Sequence, residues 1–342
     1  MIAKRAVITN IRKLDWESFN LPDKPNQHEV FLKALYSLIS PGTELAIFTG
    51  KHRGFSLPNP PFPLLPSYPG YAFVGEVIAV GSKVKDIALG AKVLAEIPHG
   101  THAIVNTQKN PVMVLPSSIR EETAPLMRMA KVAITALRLA PSSLGDCVGI
   151  FGLGLVGLFA CQLYHLAGAR PVIGMDLIGK RRKLAQKSGI VTLDPAEKNF
   201  EKQFKSIMKG READILVEAT GNPRVIPEAL ELVGRRGRVV LLGSPRGSVE
   251  IDPYMHIHRK GVTMIGAHES LQEGEGVSYY GRWNRIRNQE LLMDLFASQE
   301  ICTDGYITHV IKPQEIPSAY KLMEEEPETT LGVLIDWRGN MP

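Results

Sequence analysis

The stretch CVGIFGLGLVGLFACQLYHL, residues 147–166, decides the fold. It contains no acidic or basic residue other than His165, so a hydropathy scan would take it for a membrane span. Gly149, Gly152, Gly154 and Gly157 rule that out, because they break its first half into strand, turn and helix. The expected strand is CVGIF. The turn follows as G-x-G-x-x-G, and the helix opens on Leu155 and Val156. A second strand, PVIGMD, ends on Asp176, 24 residues after Gly152. Strand, glycine turn, helix, strand and terminal acid make the dinucleotide fingerprint. Gly152 permits the tight turn, and Gly154 lets a pyrophosphate approach the unpaired N–H groups of a helix N-terminus. Gly157 lets helix and strand pack closely. A carboxylate at Asp176 would accept ribose hydroxyls and repel a 2′-phosphate, which selects NAD(H). Arg181 and Arg182 pull the other way, since a guanidinium pairs well with phosphate.

Downstream, ADILVEAT, GRVVLLG and GVTMIGAH read as strands and KRRKLAQKSG and RVIPEALELV as helices. Near-continuous apolar strands alternating with helices mean a parallel sheet covered on both faces. Upstream, AVITN, EVFLKALYSLI, AFVGEVIAVG, AKVLAEI and HAIVN are short, β-branched runs punctuated by Gly and Pro. The proline-rich segment 56–70 is an extended loop, and the early runs read as a β-barrel or sandwich. LMRMAKVAITALRLA is a helix between the two regions. A helix around NQELLMDLFAS and the strands THVIK and LGVLIDW close the chain. The expected domains are 1–124, 125–270 and 271–342, the last returning to the first. At 342 residues, with a net charge of +5 and only three cysteines, the chain predicts an ordinary globular protein. No disulfide framework, zinc knuckle or nucleic-acid partner is expected. A cytoplasmic, homo-oligomeric protein (dimer or tetramer) with no membrane partner is the default.

Two segments, SPGTELAIFTG and YPGYAFVGEV, together with VEATG and GRVVLLGS, resemble the medium-chain dehydrogenase/reductase superfamily, the fold of the zinc alcohol dehydrogenases. The resemblance covers essentially the whole chain. It implies a GroES-like β-barrel catalytic domain with an inserted Rossmann doubly wound parallel sheet. It also implies cofactor contacts at Thr135, Thr220, Gly243, Ser244 and Ala267, beside Gly152, Gly154, Leu155, Val156, Gly157, Asp176 and Arg181. The departures concern the metal. The positions of the three zinc ligands hold Pro41, Tyr71 and Lys131, the acid of Pro-Gly-His-Glu is Ala72, and the relay histidine is Ala46. Proline and a protonated lysine do not bind zinc, and the four-cysteine lobe is missing, so no metal is expected. Among metal-free members, the Gly-Thr-Glu and Pro-Gly-Tyr segments look most like the bacteriochlorophyllide a dehydrogenase group.

The implied activity is hydride transfer between NAD(H) and a secondary alcohol or ketone, on a polyhydroxylated small molecule. An NADPH-dependent enone or quinone reductase and a non-catalytic nucleotide-binding protein are the alternatives. Without zinc, the substrate oxygen needs a base and a cationic or hydrogen-bonding partner. Lys131 is the first candidate, since Arg128, Lys131 and Thr135 share a helix face. The competing reading of that face is a solvated one. Tyr71, Glu44 with Thr43, and His102 complete the candidates, each against a structural alternative. His268 and Glu269 follow a strand end, where open α/β sheets place ligands.

Overall fold

The computed structural model describes residues 1–58, 62–272 and 283–339. The chain divides into two compact units, Met1–Arg128 with Gly305–Pro342, and Met129–Asp304.

The first unit is mostly strand. β1 (Ile2–Asn10) and β2 (Lys13–Asn20) form an antiparallel hairpin. β3 (Glu29–Ile39) is buried along almost its whole length, as its run of apolar residues requires. The short helix α1 (Thr43–Phe48) separates it from β4 (Phe73–Val80), β5 (Lys92–Ala95), β6 (His102–Asn106) and β7 (Val112–Val114). Helix α2 (Met127–Leu139) contains the boundary between the units.

The second unit alternates strand and helix. Its strands are β8 (Val148–Phe151), β9 (Val172–Met175), β10 (Val191–Leu193), β11 (Ala213–Glu218), β12 (Val233–Leu241) and β13 (Thr263–Gly266). Its helices are α3 (Leu155–Leu166), α4 (Gly179–Lys187), α5 (Phe200–Ile207), α6 (Val225–Leu232) and α7 (Arg285–Ala297). The strands pair in parallel in the order β10-β9-β8-β11-β12-β13. The chain therefore leaves β8 in one direction for β9 and β10, then returns beside β8 as β11 and continues the other way. That reversal between β8 and β11 is the switch point at which open α/β sheets hold ligands.

Back in the first unit, β14 (Ile307–Ile311), α8 (Ile316–Glu325) and β15 (Gly332–Asp336) follow. The sheet order is β14-β15-β3-β4-β5-β7, with β6 also on β3. One core joins Val30, Leu32, Phe73, Val77 and Val93 to Tyr320, Val333 and Ile335 of the returning segment. The mixed-sheet unit and the six-stranded parallel unit are the GroES-like and Rossmann architectures expected.

The return occurs at Gly305 rather than residue 271, because α7 belongs to the second unit. Phe296 of α7 packs on Phe159 of α3, ring centroids 5.9 Å apart. Arg138 donates to Asn288 Oδ1 at 2.8 Å. The first crossing comes at 128/129 rather than 124/125. The helices α1, α5 and α8, the strand β2 and the short strands β7 and β10 are absent from the sequence reading. None of these helices exceeds about three turns, so each shows too little apolar periodicity to read. Among the described residues no helix is long and apolar enough to cross a membrane.

Candidate functional site

The glycine turn after β8 has the geometry the fingerprint demands. Gly152 has φ +89°, and a Cβ there would lie 2.7 Å from Thr220 Cγ2. A Cβ on Gly157 would fall 1.8 Å from Gly152 O, so only glycine lets α3 pack this close to the turn. Gly154 caps α3 with an extended backbone and no side-chain cap, and the space around its Cβ position is open. The first-turn amides of α3 thus face an open position that fits a pyrophosphate. Leu155 and Val156 form that first turn.

Asp176 directly follows β9 and is buried. Its Oδ2 accepts from Leu153 N at 2.6 Å and its Oδ1 from Ile178 N at 2.7 Å, so the carboxylate holds the glycine turn. Arg181 Nη1 lies 3.9 Å from Asp176 Oδ2, and burial lowers the pKa of this guanidinium. Arg182 is committed elsewhere: it donates to Asp176 O at 2.6 Å and pairs with Asp194 at 2.9 Å.

The ends of β11 and β12 meet the same turn. Glu218 Oε1 accepts from Thr220 N at 2.6 Å, from Gly221 N at 2.9 Å and from the Thr220 hydroxyl. Gly243 N donates to Glu218 O at 2.7 Å, and a Cβ on Gly243 would collide with Gly221 N. Ser244 follows, its carbonyl against Gly221. Ala267 N donates to Leu241 O at 2.9 Å. The structure thus brings Gly152, Thr220, Gly243 and Ser244 together, with Asp176 and Ala267 at the same end of the sheet.

Lys131 is 3% exposed, so the solvated-face reading does not hold. Its Nζ lies 3.3 Å from Glu269 Oε1, just past the end of β13. Gln272 Nε2 donates to Lys131 O and to Thr135 Oγ1, both at 2.7 Å, and pins this part of α2 to the segment after β13. Arg128 has a different carboxylate: its Nε lies 3.4 Å from Glu96 Oε2, and its guanidinium sits 4.5 Å from the Tyr71 ring centroid.

The first unit holds a buried polar cluster. Thr43 and Glu44 open α1. Glu44 Oε1 accepts from Ser40 N at 2.8 Å, and Oε2 accepts from the Tyr320 hydroxyl at 2.8 Å. His99 Nε2 is 2.9 Å from the same Oε2. The Tyr71 hydroxyl donates to Ser40 Oγ. Burial raises the Tyr71 phenol pKa, and the charge of Glu44 adds to the effect. His102 stands apart: its Nδ1 pairs with Thr101 Oγ1 at 3.1 Å, and it lines a shallow hollow with Arg5, Phe19 and Ile97. Burial lowers its pKa. Sequence reasoning missed His99, Tyr320, Ser40 and Gln272. The one available signal was the first histidine of HGTH, and nothing local separates it from the second, His102.

Zinc does not fit the residues at the three ligand positions. Pro41 has no side-chain donor atom, the Tyr71 hydroxyl is engaged with Ser40, and the Lys131 amine is paired with a carboxylate. Among the described residues no group of three or more His, Cys, Asp or Glu side chains can hold a metal.

The mixed-sheet unit and the six-stranded Rossmann unit, with this glycine turn, have the fold of the medium-chain dehydrogenases/reductases. A family model described as zinc-binding dehydrogenase matches residues 156–277. Among characterised proteins, the chain is 26% identical over 266 residues to the D-guloside 3-dehydrogenase of Escherichia coli (strain K12), covering 77% of this chain and 75% of that protein. It is 28% identical over 332 residues to the L-threonine 3-dehydrogenase of Pyrococcus abyssi, covering 88% and 89%. The crystal structure of galactitol-1-phosphate dehydrogenase from Escherichia coli superposes with a TM-score of 0.81 at 20% identity, over 97% of this chain and 99% of that one.

Proposed function

We propose that this chain is a zinc-independent, NAD(H)-dependent dehydrogenase that interconverts a secondary alcohol and its ketone on a polyhydroxylated substrate. The pair of buried Lys131 with Glu269 carries the reading, because the resemblance gives Lys131 the position of a metal ligand in the zinc enzymes. The relatives support it: they are dehydrogenases, and one is named for a guloside. The Pro-Gly-Tyr and Gly-Thr-Glu segments favour the zinc-free members, the bacteriochlorophyllide a dehydrogenase group among them. An assembly of two or four copies in the cytoplasm completes the proposal.

NAD, when bound, supplies the hydride acceptor. The chain's own residues must then take the hydroxyl proton and meet the charge that grows on the oxygen. Lys131 Nζ is a cation and donor for that oxygen, and Glu269 is within reach to take the proton on. Burial of Lys131 strengthens its interactions relative to water.

Two results test the reading. The purified protein is expected to hold no stoichiometric zinc and to keep its activity in chelator. Elemental analysis that finds one tightly held zinc per chain overturns the metal-free assignment. NADH is expected to bind more tightly than NADPH, because an acid just after the second strand of this fingerprint accepts ribose hydroxyls and repels a 2′-phosphate. Asp176→Ser should narrow that preference by about tenfold or more, with Arg181 left to meet the phosphate. Titration by nucleotide fluorescence decides it, and tighter NADPH binding by the unmodified chain refutes the cofactor choice.

A further inference from the structure

His99 is fully buried and held from three sides. Its Nε2 meets Glu44 of α1 at 2.9 Å, and its Nδ1 meets Ser37 Oγ of β3 at 2.8 Å. Its backbone N donates to Pro69 O at 2.8 Å, and its ring lies on Gly70. Gly70 has φ +100°, and a Cβ there would fall 2.5 Å from His99 N and 2.7 Å from Cγ. Glycine at position 70 is therefore required twice, for the left-handed backbone and for the imidazole behind it. The next residue is Tyr71.

The donor inventory sets the direction of these bonds. Trp337 Nε1 can only donate, and it donates to Ser37 Oγ at 2.8 Å. The Ser37 hydrogen is then available to His99 Nδ1, and Nε2–H points at the Glu44 carboxylate. Tyr320 and Ser40 N donate to the same carboxylate. Three donors thus fix Glu44 inside the core, with His99, Tyr320 and Tyr71 as the titratable groups around it. Arg128 lies across the Tyr71 ring. The Ser40 that binds Glu44 through its amide also accepts the Tyr71 hydroxyl through its Oγ.

We propose that His99 is a positioning residue for the Tyr71 hydroxyl, acting through Glu44 and through the Pro69–Gly70 turn. The network keeps that hydroxyl oriented and protonated, its one hydrogen on Ser40 Oγ until a substrate oxygen takes that acceptor's place. This rests on the dehydrogenase reading, in which Tyr71 faces substrate, but its test needs no turnover.

The probe is 3,5-difluorotyrosine placed at position 71, whose phenol ionises near neutral pH, followed by fluorine NMR. The same label at the exposed Tyr254 is the reference. The label at position 71 is expected to titrate about one pH unit or more above the reference. Glu44→Gln removes the negative charge that opposes phenolate formation, so the midpoint should fall towards the reference. His99→Gln weakens one of the three donors to Glu44, leaves its negative charge less compensated and should raise the midpoint by a smaller amount. Each variant is checked for NADH binding, which uses the other unit. A midpoint equal to the reference in the parent overturns the proposal. So does an unmoved midpoint in both variants when each still binds NADH, since a purely structural network would change melting alone. Should His99→Gln not fold, Tyr320→Phe deletes a donor to Glu44 and keeps the ring. The midpoint must then rise, and one that stays put overturns the proposal equally. Failure here leaves the dehydrogenase reading intact, because Lys131 and Glu269 belong to neither arm.

Discussion

Lys131→Met is expected to lower turnover by roughly two to four orders of magnitude, the range for losing one acid–base group. The fold should survive. Methionine matches lysine in helix propensity and nearly in volume, and it suits a position that is 3% exposed. Gln272 binds the Lys131 carbonyl rather than its side chain, so that link to α2 remains. NADH binding should persist too, because Lys131 takes no part in the Gly152–Gly157 turn. Glu269→Gln should also slow turnover, and the double variant should cost little more than the worse single one, because the two groups act as a pair. The measurement is kcat for each protein on the alcohol it oxidises, with melting and NADH titration as controls. A Lys131→Met protein within a few-fold of the parent would remove the pair from the chemistry.

The glycine turn offers the second large effect, and two alanines separate fold from ligand. Gly154 has φ −65° and ψ 179°, an ordinary extended conformation, and a Cβ there meets nothing within 4 Å. Gly154→Ala should melt like the parent and yet bind NADH about tenfold to a hundredfold more weakly, because its methyl occupies the approach to the α3 amides. Gly157→Ala should lose both melting temperature and NADH binding, since its Cβ would sit 1.8 Å from Gly152 O and the backbone must move. Thermal melts and nucleotide fluorescence read the pair. Gly154→Ala binding NADH like the parent would mean that nothing approaches the turn at that point.

The sequence by itself determined the elements whose signals are local. The glycine spacing of 152, 154 and 157, the acid at 176 and the apolar strands of the second unit each follow from backbone sterics or periodicity within a few residues. Lys131 and Glu44 could be named as candidates for the same reason: each sits in a recognisable local segment. Their partners could not be named. Glu44 meets His99 from 55 residues away and Tyr320 from 276, and Gln272 reaches Lys131 across 141. Such pairs form only when strands and helices pack, and no local propensity records them. His99 and His102 show the limit clearly. Both are histidines of one short segment, but the chain enters β6 between them, so one ring faces Gly70 and Glu44 and the other faces Arg5 and Phe19. The crossing at Gly305 has the same origin. The sequence shows α7 as a helix, but only the contacts of Phe296 and Asn288 assign it to the Rossmann unit.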